Sequence, residues 1–335
     1  MGEAALKGRT GQTDGYSSAM TKAKTDKQAA QPPNLSVEIA GVRFRNPVLT
    51  ASGTFAYGLE FSHLMDLNAI GGIVVKGLSM KPIKGNPPPR IFETASGMLN
   101  AIGWQNIGAV EFVSKKLPAL RKYDTRIVAN IVGFDLQDYL EVTRFLNDCP
   151  GIAALELNIS CPNVKKGGFH YNKNPRDAYE ITAATKKASP RLPLWVKLSP
   201  NVTDIREFAT ACEEAGADAL SVVNTFVGMA IDIEKRRPRL RFVTGGLSGP
   251  AIKPIALRMV WEASRAVKIP VLGVGGIASA EDALEFLIAG ARAVQIGTAS
   301  FYNPAASEKV ALGLADFCRT RGIEDINQLI GSLET

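Results

Sequence analysis

One cysteine stands where an apolar run gives way to polar residues. Leu155 to Gly168 reads LELNISCPNVKKGG, with Cys161 between Ser160 and Pro162 and asparagines at 158 and 163. The proline ends strand pairing at that point. A thiol so placed is a candidate nucleophile or proton acceptor, given a lowered pKa or a substrate proton beside it. The residue pattern leaves those two roles open. The other cysteines, Cys149, Cys212 and Cys318, lack such surroundings and read as small buried hydrophobes. None of the four has CxxC spacing, so neither a disulfide framework nor a zinc site is expected. With only His63 and His170 as histidines, a His-based triad or two-His metal centre has little material, and no metal is expected.

Two lysines and two glycine turns carry the next signals. Lys76 lies in GGIVVKG and Lys197 in LPLWVKLS, runs that are otherwise apolar. A lysine in such a run needs an anionic partner or a route to water. A ligand that becomes negatively charged, such as a reduced flavin, would answer for both. Gly275-Gly276 in VGGIAS and Gly297-Thr298 in IGTAS each follow a β-type run and precede a helical one. Glycine admits close backbone approach to a phosphate, and a following helix N-terminus adds a favourable dipole. Two tight strand-to-helix turns are the alternative reading; their pairing favours phosphate.

The elements that must position these residues alternate regularly. β-branched apolar runs occupy 47–52, 71–77, 126–133, 153–160, 192–199, 217–225, 269–276 and 291–299. Each is nearly apolar throughout, as parallel strands covered on both faces must be. Helical stretches intervene, among them 204–216 and 279–290, the second with Ser279 as N-cap and Gly290 as its stop. Eight β/α repeats predict a (β/α)8 TIM barrel. A doubly wound open sheet would use fewer strands and a Gly-rich first turn, which this sequence lacks. Chemistry then belongs on the loops after the strands. They deliver Ser52-Gly53-Thr54, Lys76-Gly77, Asn130, then Asn158 with Ser160, Cys161 and Asn163, then Lys197, Asn224-Thr225, Gly275-Gly276 and Gly297-Thr298. This ring of amides, hydroxyls, lysines and glycines contains no carboxylate and suits a planar, anionic, hydrogen-bonding ligand.

Residues 81–106, rich in Pro, Gly and Asn, interrupt the alternation after the second strand. They predict an inserted loop with a hairpin near Arg90 to Met98, a wall or lid over the barrel mouth. Residues 1–33 read as a disordered extension and 34–335 as one domain. The chain has 335 residues, 46% hydrophobic and 21% charged, which allows a substantial core. Neither a membrane-spanning run nor a signal-peptide core is evident, so a cytoplasmic location is expected. The net charge of +7 is spread along the chain with few aromatics, which favours anionic small ligands over nucleic acid.

The motifs ASGTFAYG (51–58), VVKGLS (74–79), NAIGWQN (100–106) and NISCPNVKKGG (158–168) resemble those of the dihydroorotate dehydrogenases. So do VVNT (222–225), GGLSGPAIKP (245–254), GVGGI (273–277) and QIGTAS (295–300). The resemblance runs in order from about residue 35 to 305, and its cysteine form is similar to class 1, B type. It implies an FMN enzyme of pyrimidine biosynthesis that oxidises (S)-dihydroorotate to orotate. In that case Cys161 is the base at ring carbon 5, and hydride leaves carbon 6 for flavin N5. Asn100, Ala101, Ile102, Gly103, Trp104, Asn158, Asn163, Asn224 and Thr225 would hold the substrate, with Lys76 between substrate and flavin. Ser52, Gly77, Asn130, Asn158, Lys197, Val223 and Gly249 would hold the flavin, and Gly275, Gly276, Gly297 and Thr298 its phosphate.

The B type further implies a homodimer core in a heterotetramer, whose partner subunit carries FAD and a 2Fe-2S cluster and passes electrons to NAD. Two residues depart from the family pattern, Trp104 where a smaller aliphatic is usual and Tyr57 where phenylalanine is common. A dihydropyrimidine dehydrogenase-like flavoprotein shares the Ser-Cys-Pro element and is one alternative; an inactive ligand-binding barrel is another.

Overall fold

The computed structural model describes residues 31–159 and 173–334. Eight short parallel strands close on themselves: β1 (Val48–Thr50), β2 (Gly72–Leu78), β3 (Arg126–Ile131), β4 (Ala154–Asn158), β5 (Leu194–Lys197), β6 (Ala219–Val222), β7 (Val271–Val274) and β8 (Ala293–Ile296). Each pairs with the next in sequence, and Val294 of β8 stands opposite Val48 of β1 to complete the ring. Leucine, valine and isoleucine dominate because both faces are covered, the inner by the barrel interior and the outer by helices. The TIM barrel expected from the eight apolar runs is therefore present.

The covering helices are α1 (Leu136–Asn147), α2 (Pro175–Ala188), α3 (Ile205–Glu214), α4 (Lys253–Ala266), α5 (Ala280–Ile288) and α6 (Ala306–Arg321). Their boundaries are chemically marked. Asp135, Asn174 and Asp204 accept from backbone N–H groups one turn into α1, α2 and α3. In α5 the Ser279 side chain accepts from Asp282 N while Asp282 reaches back, a capping box, and Gly290 follows at φ +115. Helix α3 buries Ile205, Phe208, Ala209 and Cys212, the i, i+3, i+4, i+7 stripe that seats a helix on a barrel.

A hairpin of Val37–Ile39 and Val42–Phe44 precedes the barrel. Phe44 is fully buried against Trp195 at the start of β5, ring centres 5.9 Å apart, so the hairpin plugs the N-terminal end. The opposite end is roofed by two insertions. The hairpin after β2 is Ile91–Thr94 with Gly97–Asn100, close to the expected position. A second insertion, after β6, supplies Phe226–Met229 and Thr244–Ser248. All four strands join in one antiparallel sheet, Gly246 opposite Asn100 and Val227 opposite Gly246. The sequence reading contained no such partner for the hairpin. Its central strand is TGGLS, whose glycines carry little strand propensity and pair only through long-range register.

Candidate active site

A cavity of about 500 Å³ opens at the C-terminal end of the barrel, within the range of small-molecule sites. Every strand contributes to its lining. Ser52, Gly53 and Thr54 follow β1; Lys76 and Gly77 end β2; Asn130, Asn158 and Lys197 come from β3, β4 and β5. Val223, Asn224 and Thr225 follow β6, Gly275 and Gly276 follow β7, and Gly297 and Thr298 follow β8. From the insertions come Asn100, Ile102, Gly103, Trp104 and Gly249. These residues span nearly 250 positions of sequence and meet only because the barrel closes.

Ala101 departs from the expected set. It is fully buried with Leu99 and Leu240 in a small core beneath the roof sheet and does not line the cavity. Its N–H donates to Arg90 O at 2.8 Å and its carbonyl accepts from Asn86 Nδ2 at 2.9 Å. Strand alternation turns it away while Asn100 and Ile102 face the site. Ser160, Cys161 and Asn163 lie outside the described residues.

The two lysines differ more than their similar strand contexts suggest. Burial, and secondarily Arg90, pulls the Lys76 ammonium below the usual lysine range, and no ion pair to it is found among the described residues. It is the cation that a bound anion would satisfy. Lys197, only 4% exposed, already has an anion: its Nζ lies 3.8 Å from Glu156 Oε1 and donates to Gln295 Oε1 at 3.3 Å. The expectation that one charged ligand explains both lysines is thus corrected for Lys197.

The glycine turns also divide. Gly275 and Gly276 have φ of +132 and +76, and Gly249 has φ +101. A Cβ on Gly276 would stand 2.7 Å from the backbone nitrogen of Lys253. Lys253 in turn fastens α4 to α5 through Asp282 Oδ1 (2.7 Å) and Glu285 Oε1 (2.9 Å), so the clash has no easy relief. Gly276→Ala is expected to cost about 1–3 kcal/mol. A denaturant midpoint equal to that of the native protein would contradict this. Just ahead of α5, Asp282 Oδ2 accepts from the N–H groups of Ala278 and Ser279, so those two donors are already taken. What the turns offer is their own backbone.

The family's sequence profile, described as Dihydroorotate dehydrogenase, matches residues 34–318. A protein of Trichlorobacter lovleyi is 60% identical over 302 residues, 90% of this chain and 99% of its own length. One of Geobacter sulfurreducens is 57% identical over 304 residues, 91% and 99% of the two chains. Both are named "Dihydroorotate dehydrogenase B (NAD(+)), catalytic subunit". The chain belongs to the dihydroorotate dehydrogenase family.

As a member of that family it is an oxidoreductase, and the two residues expected to depart from the family pattern have distinct settings. Tyr57 is buried away from the cavity; burial raises its hydroxyl pKa, and its oxygen accepts from Ile107 N–H at 3.0 Å, which ties the loop after β1 to the insertion. Trp104 lines the cavity at φ +57, packs 5.4 Å from the Phe134 ring, and its buried indole N–H has no acceptor among the described residues. The remaining described cysteines are poor thiolates. Burial raises the Cys149 and Cys318 thiols and pushes Cys212 up to about 12.

Glu156 is the residue the sequence reading missed in this dihydroorotate dehydrogenase family member. It lies one layer below the rim, fully buried on β4. A signal existed: a lone acid in AALELNIS and a lone base in LPLWVKLS occupy neighbouring strands. Opposite charges isolated in adjacent apolar runs are candidates for one another.

Proposed function

We propose that this chain is the FMN-containing catalytic subunit of a B-type dihydroorotate dehydrogenase, oxidising (S)-dihydroorotate to orotate in pyrimidine biosynthesis. The observation that carries the reading is that one cavity is lined by two chemically different sets of groups. The first is the backbone at Gly249, Gly275–Gly276 and Gly297–Thr298, and the second is Lys76, Asn100, Asn158 and Asn224. A phosphate suits the first set, because glycine backbone approaches it closely. Planar imide rings and a carboxylate suit the second, because each amide offers a donor and an acceptor and Lys76 has no ion-pair partner among the described residues. The cavity's size and donor set fit FMN, which Ser52, Lys76, Gly77, Asn130, Asn158, Lys197 and Val223 would hold along its ring.

FMN, when bound, supplies the hydride acceptor at N5. The chain's own residues do the rest. Lys76, Asn100, Ile102–Trp104, Asn158, Asn163, Asn224 and Thr225 hold the dihydropyrimidine flat and exclude water. Cys161 takes the proton from carbon 5 as hydride leaves carbon 6, so one C=C bond forms and two electrons leave the substrate. The chain contacts its electron acceptor through a partner subunit, with FAD and a 2Fe-2S cluster on that partner, in a heterotetramer built on a homodimer of this chain. The relatives' "NAD(+)" and "catalytic subunit" names support a further subunit and NAD as acceptor, while the FAD, the cluster and the subunit numbers are what the resemblance to the B type implies. No group of three or more metal-ligating side chains occurs among the described residues. A cytoplasmic location accords with the finding that, among the described residues, no helix is long and apolar enough to cross a membrane. The domain expected over 34–335 begins within the described residues, while residues 1–30 of the expected extension lie outside them.

The purified chain is expected to oxidise dihydroorotate with an artificial dye as acceptor and to reduce NAD only when the partner is added. Colourless protein, or turnover of dihydrouracil with none of dihydroorotate, would refute the reading.

A further inference from the structure

Glu156 touches four polar groups inside the barrel and does not itself line the cavity. Its Oε1 accepts from Asn130 Nδ2 at 2.7 Å, with Lys197 Nζ at 3.8 Å. Its Oε2 accepts from Ser221 Oγ and from Gln295 Nε2, both at 2.6 Å. Every contact comes from a donor, which is the environment of an ionised carboxylate, since that group only accepts. Two amides therefore have no choice of orientation. Gln295 turns its NH2 to the acid and its carbonyl to Lys197, which donates to it at 3.3 Å. Asn130 turns its NH2 to the acid and its carbonyl toward Asn158, whose Nδ2 lies 3.5 Å away. Asn130 and Lys197 line the cavity; Glu156, Ser221 and Gln295 do not.

We propose that Glu156 is a positioning residue for the flavin. It keeps Lys197 a localised cation and Asn130 an outward-facing acceptor, so the barrel floor presents one fixed donor and one fixed acceptor to the ring edge. The proposal rests on the FMN reading above. Its chemistry is that of a ring bearing acceptors beside a single N–H donor, whose reduced form gains negative charge at the acceptor side. A cation held there favours reduced over oxidised flavin. Without the acid, Lys197 is a buried charge whose anionic neighbour among the described residues, Glu156, is gone, so no ion pair holds it in place.

The test compares Glu156→Gln, Glu156→Asp, Lys197→Met and the Glu156→Gln/Lys197→Met pair. It reads the affinity of each apoprotein for oxidised and for reduced FMN. Glu156→Gln is expected to lower the reduced-to-oxidised affinity ratio about tenfold, the worth of one charge-assisted contact. This equals a fall of about 30 mV in the two-electron midpoint potential. Glu156→Asp, which keeps the charge, should stay nearer the native ratio than Glu156→Gln. In the Lys197→Met background the Glu156→Gln change should vanish, because the acid acts through the lysine. A merely structural role predicts losses that are equal for both flavin forms and additive in the pair.

An unchanged or raised ratio in Glu156→Gln would overturn the proposal. Should that variant not fold, Gln295→Leu, which removes the lysine's acceptor, must lower the ratio in the same direction, and an unmoved ratio overturns it equally. Native protein without affinity for FMN would overturn the cofactor reading itself; native protein that binds FMN beside unmoved variants would overturn this inference alone.

Discussion

Cys161→Ala is expected to keep FMN bound and to lose about 10²- to 10⁴-fold in turnover of dihydroorotate at neutral pH, the usual worth of a positioned base. The reasoning is chemical. Carbon 5 of the substrate is a weak acid, and among the described residues that line the cavity there is no carboxylate or histidine to take its proton. The acid nearest the site, Glu156, is saturated by Asn130, Ser221 and Gln295. The other described cysteines are buried with raised pKa values. Steady-state kinetics with a dye acceptor, together with the flavin spectrum, checks this. Full turnover in the alanine variant would remove Cys161 from the mechanism, whereas loss of colour would assign it a binding role.

The second large effect concerns Lys76, for which function and stability should move in opposite directions. Hydrogen bonds to a charged group contribute about 1.5–3 kcal/mol, so Lys76→Met should lower kcat/KM for dihydroorotate about 10- to 100-fold. The unliganded protein should gain. Burial lowers the Lys76 pKa from 10.5, so between the folded and unfolded values the unfolded chain binds more protons. Native stability in the apo form therefore rises as pH climbs through that window, and the cost of the charge is fully present below it. Methionine removes that cost. At neutral pH the apo variant should melt higher than the native apoprotein, by about 2 °C for each kcal/mol regained. Bound orotate should reverse the order of the two melting temperatures. A variant that melts lower in both states would mean that Lys76 is paired in the apo protein.

Much of this architecture was legible in the residues. The strands announced themselves because parallel barrel strands are apolar on both faces, and the start of α5 because Ser279 is an N-cap residue ahead of a helical stretch. The rim residues followed from knowing which end of each strand bears the loop. Three features were not legible, each for a definite reason. The strand Thr244–Ser248 exists only through pairing with segments 20 and 150 positions away, and its glycines carry no local preference for it. The rotation of Ala101 out of the site depends on the register of that same sheet. The partner of Glu156 is hidden in either run taken alone, and emerges only when the pairing of β4 with β5 sets Asn158 opposite Lys197 and places the acid within reach of that lysine.

The barrel's polar floor also shows how this fold combines stability with a site. Below Glu156 the interior is closed by packed side chains such as Trp195 and Phe44; above it the rim holds amides and lysines. A carboxylate placed between the two layers is tolerated because its contacts are complete, and it gives direction to amides that otherwise turn freely.

The most direct measurement is an anaerobic titration of the purified chain with dihydroorotate, followed through the flavin absorbance. The account predicts a yellow protein whose colour bleaches stoichiometrically, one substrate per bound flavin, with orotate released. A colourless chain, or a flavin that stays oxidised in excess dihydroorotate, would contradict it.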